Sequence, residues 1–144
     1  MMIKKLAFTT ALFMGLSMSA HAADDVHQLD FKQAVQRAMA DGTLDGSVKF
    51  YLAGTNSGGR VLQKGVVTNK KTNGFMKSAE ESCDWVLRSA LIQLQTAAKQ
   101  QGANVVINIV SYYKSHETRS TTTYECHKGT AMAGVALKGD LVKF

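Results

Sequence analysis

Cys83 and Cys126 are the two cysteines of the chain, and their chemistry depends on where the protein folds. In an oxidising compartment an even cysteine count reads first as a disulfide framework. A redox-active pair usually takes the form C-x-x-C, which is absent. A bond between Cys83 and Cys126 would stabilise the fold by about 4 kcal/mol in the chain-entropy picture. Free or catalytic thiols are the alternative. Cys126 has a competing use, as a metal ligand with His116 and His127. Zinc asks for four ligands, commonly supplied as C-x₂₋₄-C or H-x₃₋₅-H pairs. His116 and His127 are too far apart for such a pair and His27 is isolated, so no metal site is predicted. A periplasmic metal-binding protein using His116, His127 and Cys126 is kept as the alternative reading.

Other chemistries find less support. The run Gly54-Thr55-Asn56-Ser57-Gly58-Gly59-Arg60 faintly suggests a phosphate loop. A true one ends in Lys-Ser/Thr and opens a helix, whereas Arg60 here opens a strand. There is no G-x-S-x-G for nucleophilic hydrolysis. Glu80, Glu81 and Asp84 gather at the start of a predicted helix, where the helix dipole already favours acids. Glu117 and Glu125 flank a Ser/Thr-rich loop. No catalytic residue and no cofactor is expected, and the chain does not read as an enzyme. Tyr112, Tyr113 and Tyr124 border the polar stretch Lys114 to Ser120. They read as aromatic packing on the sheet first and as a protein-binding surface second.

The compartment is set by the first residues. Lys4 and Lys5 form a positive start, Leu6 to Ala20 is apolar and uncharged, and Ala20-His21-Ala22 fits a small-x-small cleavage site. Residues 1–22 therefore read as a secretory signal peptide cleaved after Ala22. Residues 23–144 read as one domain folding in the bacterial periplasm. The chain carries +6 over its 144 residues, two of those charges on Lys4 and Lys5. The remaining basic residues are dispersed, apart from Lys70-Lys71, which argues for a solvated surface rather than nucleic-acid binding. No later apolar run is long enough for a transmembrane segment. No Cys follows the leader, so no lipid anchor is expected.

The elements follow from periodicity. Asp30 caps a helix from Phe31 to about Asp41, with Phe31, Ala34, Val35, Ala38 and Met39 on one face. Val48, Phe50 and Leu52 alternate with Lys49 and Tyr51 as a strand. The Thr55 to Gly59 turn cluster joins it to a second strand, Arg60 to Val67, as a hairpin. Thr68 to Gly74 reads as a polar loop. Ser78 and Glu81 form a capping box for a long helix ending at Gln101 and Gly102. Trp85, Ser89, Ile92 and Thr96 share one side of it. Ala103 to Tyr113 is β-branched and reads as a central strand. Thr121 to Cys126 and Thr130 to Leu137 are strands, with bulges possible at Gly129 and Gly134, and Gly139-Asp140 precedes a tail. Ala23 to Gln28 reads as a frayed start. The order predicts an α+β fold: a small, mostly antiparallel sheet with a long helix on one face, plus a shorter N-terminal helix.

Several of these residues carry a resemblance. They are Ser82-Cys83 at a helix head, Gln101-Gly102-Ala103-Asn104-Val105-Val106 at the helix-to-strand junction, and Tyr124-Glu125-Cys126 leading into Gly129-Thr130-Ala131. From Ser82 to the end the chain resembles the RcsF-like and YbjQ-like small periplasmic α/β domains. Secreted stress and biofilm proteins of the YdgH/BhsA kind share a similar helix–Gly-Ala–strand end. The resemblance implies a disulfide-stapled domain that works by contact in envelope stress, with another envelope protein or a second copy as partner. It also implies that Cys83 and Cys126 occupy disulfide positions. The lipid-anchor Cys and Pro-rich linker of RcsF are not matched here. Chains of this type are sometimes labelled excinuclease ATPase subunits, which the leader and the lack of a P-loop and zinc-finger cysteines contradict.

Overall fold

The computed structural model describes residues 24–144, and the predicted leader lies outside the described residues. The elements run β1 (Asp25–Asp30), α1 (Phe31–Ala40), β2 (Lys49–Leu52), β3 (Arg60–Asn73), α2 (Ala79–Gln101), β4 (Val105–Ser111), β5 (Thr123–Lys128) and β6 (Met132–Lys143).

Both helices begin and end on residues suited to the task. The Asp30 side chain accepts from the Gln33 N–H at 2.8 Å and starts α1. The Ser78 hydroxyl accepts from the Glu81 N–H at 3.1 Å and starts α2. Gly102 closes α2 at φ 74°, a left-handed conformation that glycine adopts without a Cβ penalty. The buried face of α2 carries Cys83, Val86, Leu87, Ala90, Leu91, Leu94 and Ala98. Trp85 and Ile92, which share one side of the helix, are exposed, at 63% and 42%. The helix packs on the neighbouring stripe, which is richer in aliphatic residues and ends on Cys83.

β6 is the spine of the sheet. β3 pairs antiparallel along one side of it, from Arg60 opposite Lys143 to Asn73 opposite Met132. The other side is shared. β5 takes the start of β6, with His127 opposite Gly134, and β4 takes the end, from Ser111 opposite Leu137 to Val105 opposite Val142. β1 extends β5 antiparallel, and β2 extends β4 in parallel. The sheet therefore divides at β6 and curls. The fold is α+β and mostly antiparallel, with one long and one shorter helix. The shorter helix does not open the domain, because β1 precedes it.

Four expectations need correction. Asp25 to Gln28 of the expected frayed start belong to β1, held by six successive pairings with β5, and Ala23 lies outside the described residues. β2 and β3 form no hairpin, since β2 joins β4 and β3 joins β6. Thr68 to Asn73 of the expected loop are the second half of β3, polar because most of their side chains face solvent while Thr68 is buried. The tail after Gly139-Asp140 is the end of β6. At Gly139 a Cβ would stand 2.9 Å from Val106 Cγ1, so that glycine serves close strand packing rather than a turn.

Cys83 on α2 and Cys126 on β5 are joined as a disulfide across 43 residues. Both are fully buried in the main apolar core, among residues of both helices and the sheet. Replacing either cysteine by Ala should cost about 4 kcal/mol in urea unfolding, and the double variant should match the singles, because each change removes one link. A difference above about 1 kcal/mol between the two single variants would contradict this.

Candidate functional site

α1 and β2 face each other across an apolar groove. Phe31 and Val35 of α1, with Met39 at one end, form one wall, and Val48, Phe50 and Leu52 form the other. Thr121 and Thr122 close the far end, and the cavity measures about 810 Å³. That lies within the size range of ligand and peptide sites. Phe31, Val48, Phe50 and Leu52 are buried at its base, Val35 is half-buried, and Met39 is 42% exposed. The helix periodicity that predicts a core face for α1 thus holds for Phe31, Ala34 and Ala38. Val35 and Met39 of the same stripe look into the groove.

The walls are fixed from behind. The Phe31 N–H donates to the Thr122 carbonyl at 3.0 Å, which ties the start of α1 to the segment entering β5. Asp84 of α2 accepts from Arg37 of α1 at 2.8 Å and from Arg88 at 3.0 Å. Arg88 also pairs with Asp41, just past the end of α1. The loop between α1 and β2 is held by Lys99, which pairs with Asp45 at 2.6 Å. Lys99 and the Ser47 side chain and N–H together hold the Asp45 carboxyl well below the usual carboxylate range.

A second grouping lies on β5 and the turn after β4. His127 Nε2 donates to Glu125 Oε1 at 2.5 Å. The Tyr113 ring stacks on His127 with centroids 3.5 Å apart and planes within 12°. The Tyr113 hydroxyl donates to Asp24 at 3.4 Å. Burial pushes the Glu125 carboxyl up, but hydrogen bonds from His127, Thr118 and Gln28 outweigh it and hold the group below its ordinary value. Tyr113 is pushed above the ordinary phenol value by burial, and next by Asp24. Neighbouring residues on a strand point to opposite faces. Cys126 therefore enters the core while His127 stays on the outer side.

That alternation and the disulfide separate Cys126 from the two histidines. Cys126 Sγ is bonded to Cys83, and it points away from the face that carries His127. His116 is exposed beyond the short helical turn at Tyr113–Ser115. Among the described residues no group of three or more His, Cys, Asp or Glu is placed to hold a metal. The three tyrosines do not form one surface. Tyr124 is buried edge-to-face against Phe31 at 6.4 Å, while Tyr112 lies beneath Lys138 Nζ at 4.8 Å. Glu80, Glu81 and Glu117 lie away from the groove, Glu117 facing Lys138 at 3.6 Å. The groove itself was not singled out from the sequence.

The chain matches no protein-family model and no curated protein.

The Glu125–His127 bond sets an acid-side pH dependence. A carboxylate whose folded value lies below its unfolded value of about 4.3 adds stability above that pH. The contribution fades as pH falls through the folded value. Glu125→Gln should lower Tm at pH 7 by an amount equivalent to less than about 1 kcal/mol. The gap from the parent should close below about pH 4. A gap that stays constant from pH 3 to pH 7 in calorimetry would refute the assignment.

Proposed function

We propose that this chain is a secreted, non-enzymatic protein-interaction module of the bacterial periplasm, of the RcsF-like and YbjQ-like kind and tied to envelope stress. The observation that carries the reading is the groove between α1 and β2, apolar at its base and bounded by an open strand edge. Apolar recesses bordered by polar residues are where soluble domains meet partners. The leader reading of residues 1–22 and the Cys83–Cys126 bond both favour an oxidising compartment. The partner is another envelope protein, met by the groove, or a second copy of the chain.

Two measurements test this. Mass spectrometry of protein made in a Gram-negative host should find Ala23 as the first residue of the periplasmic form. A product retaining Met1 in the cytoplasm would contradict secretion. A photo-crosslinking amino acid at Gln36, which lines the groove, should give a discrete protein adduct in intact cells. The same group at Lys64 on β3 should not. Equal adducts at both positions, or none at Gln36, would contradict contact through the groove.

A further inference from the structure

β2 is an edge strand with one neighbour, β4. The Lys49 N–H donates to the Asn104 carbonyl at 3.1 Å, and the Ala53 N–H donates to the Ile109 carbonyl at 2.9 Å. Backbone groups alternate in direction along a strand. The N–H groups of Phe50 and Leu52 and the carbonyl of Phe50 therefore turn to the open edge. The Leu52 carbonyl is occupied, accepting from the Thr55 N–H at 3.1 Å and the Thr55 hydroxyl at 2.7 Å. The result is an edge of about 13 Å, set by four residues, that ends in a turn and lies along an apolar groove.

β3, the 14-residue edge on the far side of β6, is protected along its length. β3 carries Lys64, Lys70 and Lys71. Its register shifts between Val61 and Gln63 and again between Gln63 and Val66. Lysines and bulges are devices that prevent strand addition. β2 is short, carries Lys49 and has one register shift against β4 between Phe50 and Leu52, yet its free edge borders an apolar groove rather than open solvent.

Charge identifies the occupant. Lys32 and Lys49 line the groove, and Arg119 Nη2 stands 3.9 Å from where a Cβ at Gly54, just past β2, would lie. None of the three is in an ion pair among the described residues. The single acid in the lining, Asp30, is engaged in capping α1. A basic rim around an apolar base fits an extended strand with apolar residues in alternation and acids at its ends.

We propose that β2 and α1 form a strand-addition site for an extended, acid-flanked segment of another protein. The segment hydrogen-bonds to Phe50 and Leu52, sets alternate apolar side chains against Val35 and Met39, and places its acids against Lys32, Lys49 and Arg119. This rests on the contact reading above and narrows it to one kind of partner.

The probe is a short synthetic peptide in which Val and Thr alternate between terminal pairs of Asp. Nitrogen-15 NMR of the full domain should show shifts at Phe50, Leu52, Val35 and Met39. A Lys-flanked version of the peptide should bind about three- to tenfold more weakly. The paired substitutions Lys32→Glu and Lys49→Glu should reverse that ranking, with circular dichroism confirming that the variant folds. N-methylation of alternate peptide amides should abolish binding in one register and be tolerated in the other, because only one set faces β2. Binding insensitive to N-methylation, or shifts centred on β3 or on the outer face of α2, would overturn strand addition. A dimer of the chain that the peptide dissolves would place a second copy on the edge and also overturn it. Should Gln36 still crosslink to an envelope protein while the peptide leaves Phe50 and Leu52 unshifted, strand addition falls and the contact reading stands. Loss of both signals removes both.

Discussion

The Cys83–Cys126 bond is the constraint on which the remaining geometry depends. It fastens the N-terminal part of α2 to β5 inside the core. β5 in turn carries β1 along its outer side, and the last residue of β1, Asp30, is the cap that starts α1. The wall of the groove is thus tied to the disulfide through β5 and β1. The opposite wall hangs from β6 through β4 and β2. The Arg37–Asp84–Arg88–Asp41 ion pairs add a direct tie between α1 and α2 at the surface. Such pairs are worth little singly; their role here is to hold the orientation of α1 against α2.

This arrangement separates rigidity from recognition. The main core gathers α2, the base of α1 and the inner faces of β4, β5 and β6. The minor cluster of Val105, Ile107 and Val142, with Tyr51 against it, backs the outer face of β2 and β4. β2 is therefore supported on both faces while its edge stays open. An edge strand of this sort is a hazard in a protein with nothing to place on it. Lying beside a walled apolar groove, it is an organised surface whose backbone is already extended, so a partner strand meets little ordering cost on this side.

The elements legible in the sequence are those whose signals are local. Asp30, Ser78 and Gly102 mark helix ends by their own side-chain or backbone chemistry, and the β-branched run at β4 declares a strand buried on both faces. The failures share a cause. β1 and the second half of β3 are edge strands with most side chains in water, so their composition looks like loop. The β2–β3 hairpin failed because the turn cluster Thr55 to Gly59 reverses the chain without pairing what it joins. The partner of β2 lies beyond α2, a non-local pairing that no local pattern contains. Gly139 and Asp140 looked like a break. In the fold, Asp140 accepts from Asn108 at 3.0 Å and from the Gly65 N–H at 2.9 Å, stitching three strands at their irregular points. For the site, cysteine count was informative and histidine placement was not, because strand alternation separates Cys126 from His127. The groove was hidden because Val35 and Met39 belong to the same apolar stripe as the core residues of α1, and only the position of β2 reveals what that stripe leaves uncovered.

The central claim is that β2 presents an unoccupied backbone edge to the groove. Residue-resolved amide exchange on the free protein, from Lys49 to Ala53, tests it most directly. The account predicts alternation: slow exchange at Lys49, Tyr51 and Ala53, whose N–H groups face β4, and fast exchange at Phe50 and Leu52 despite their buried side chains. Uniform protection across the five residues would contradict the account, because the edge would then already be covered.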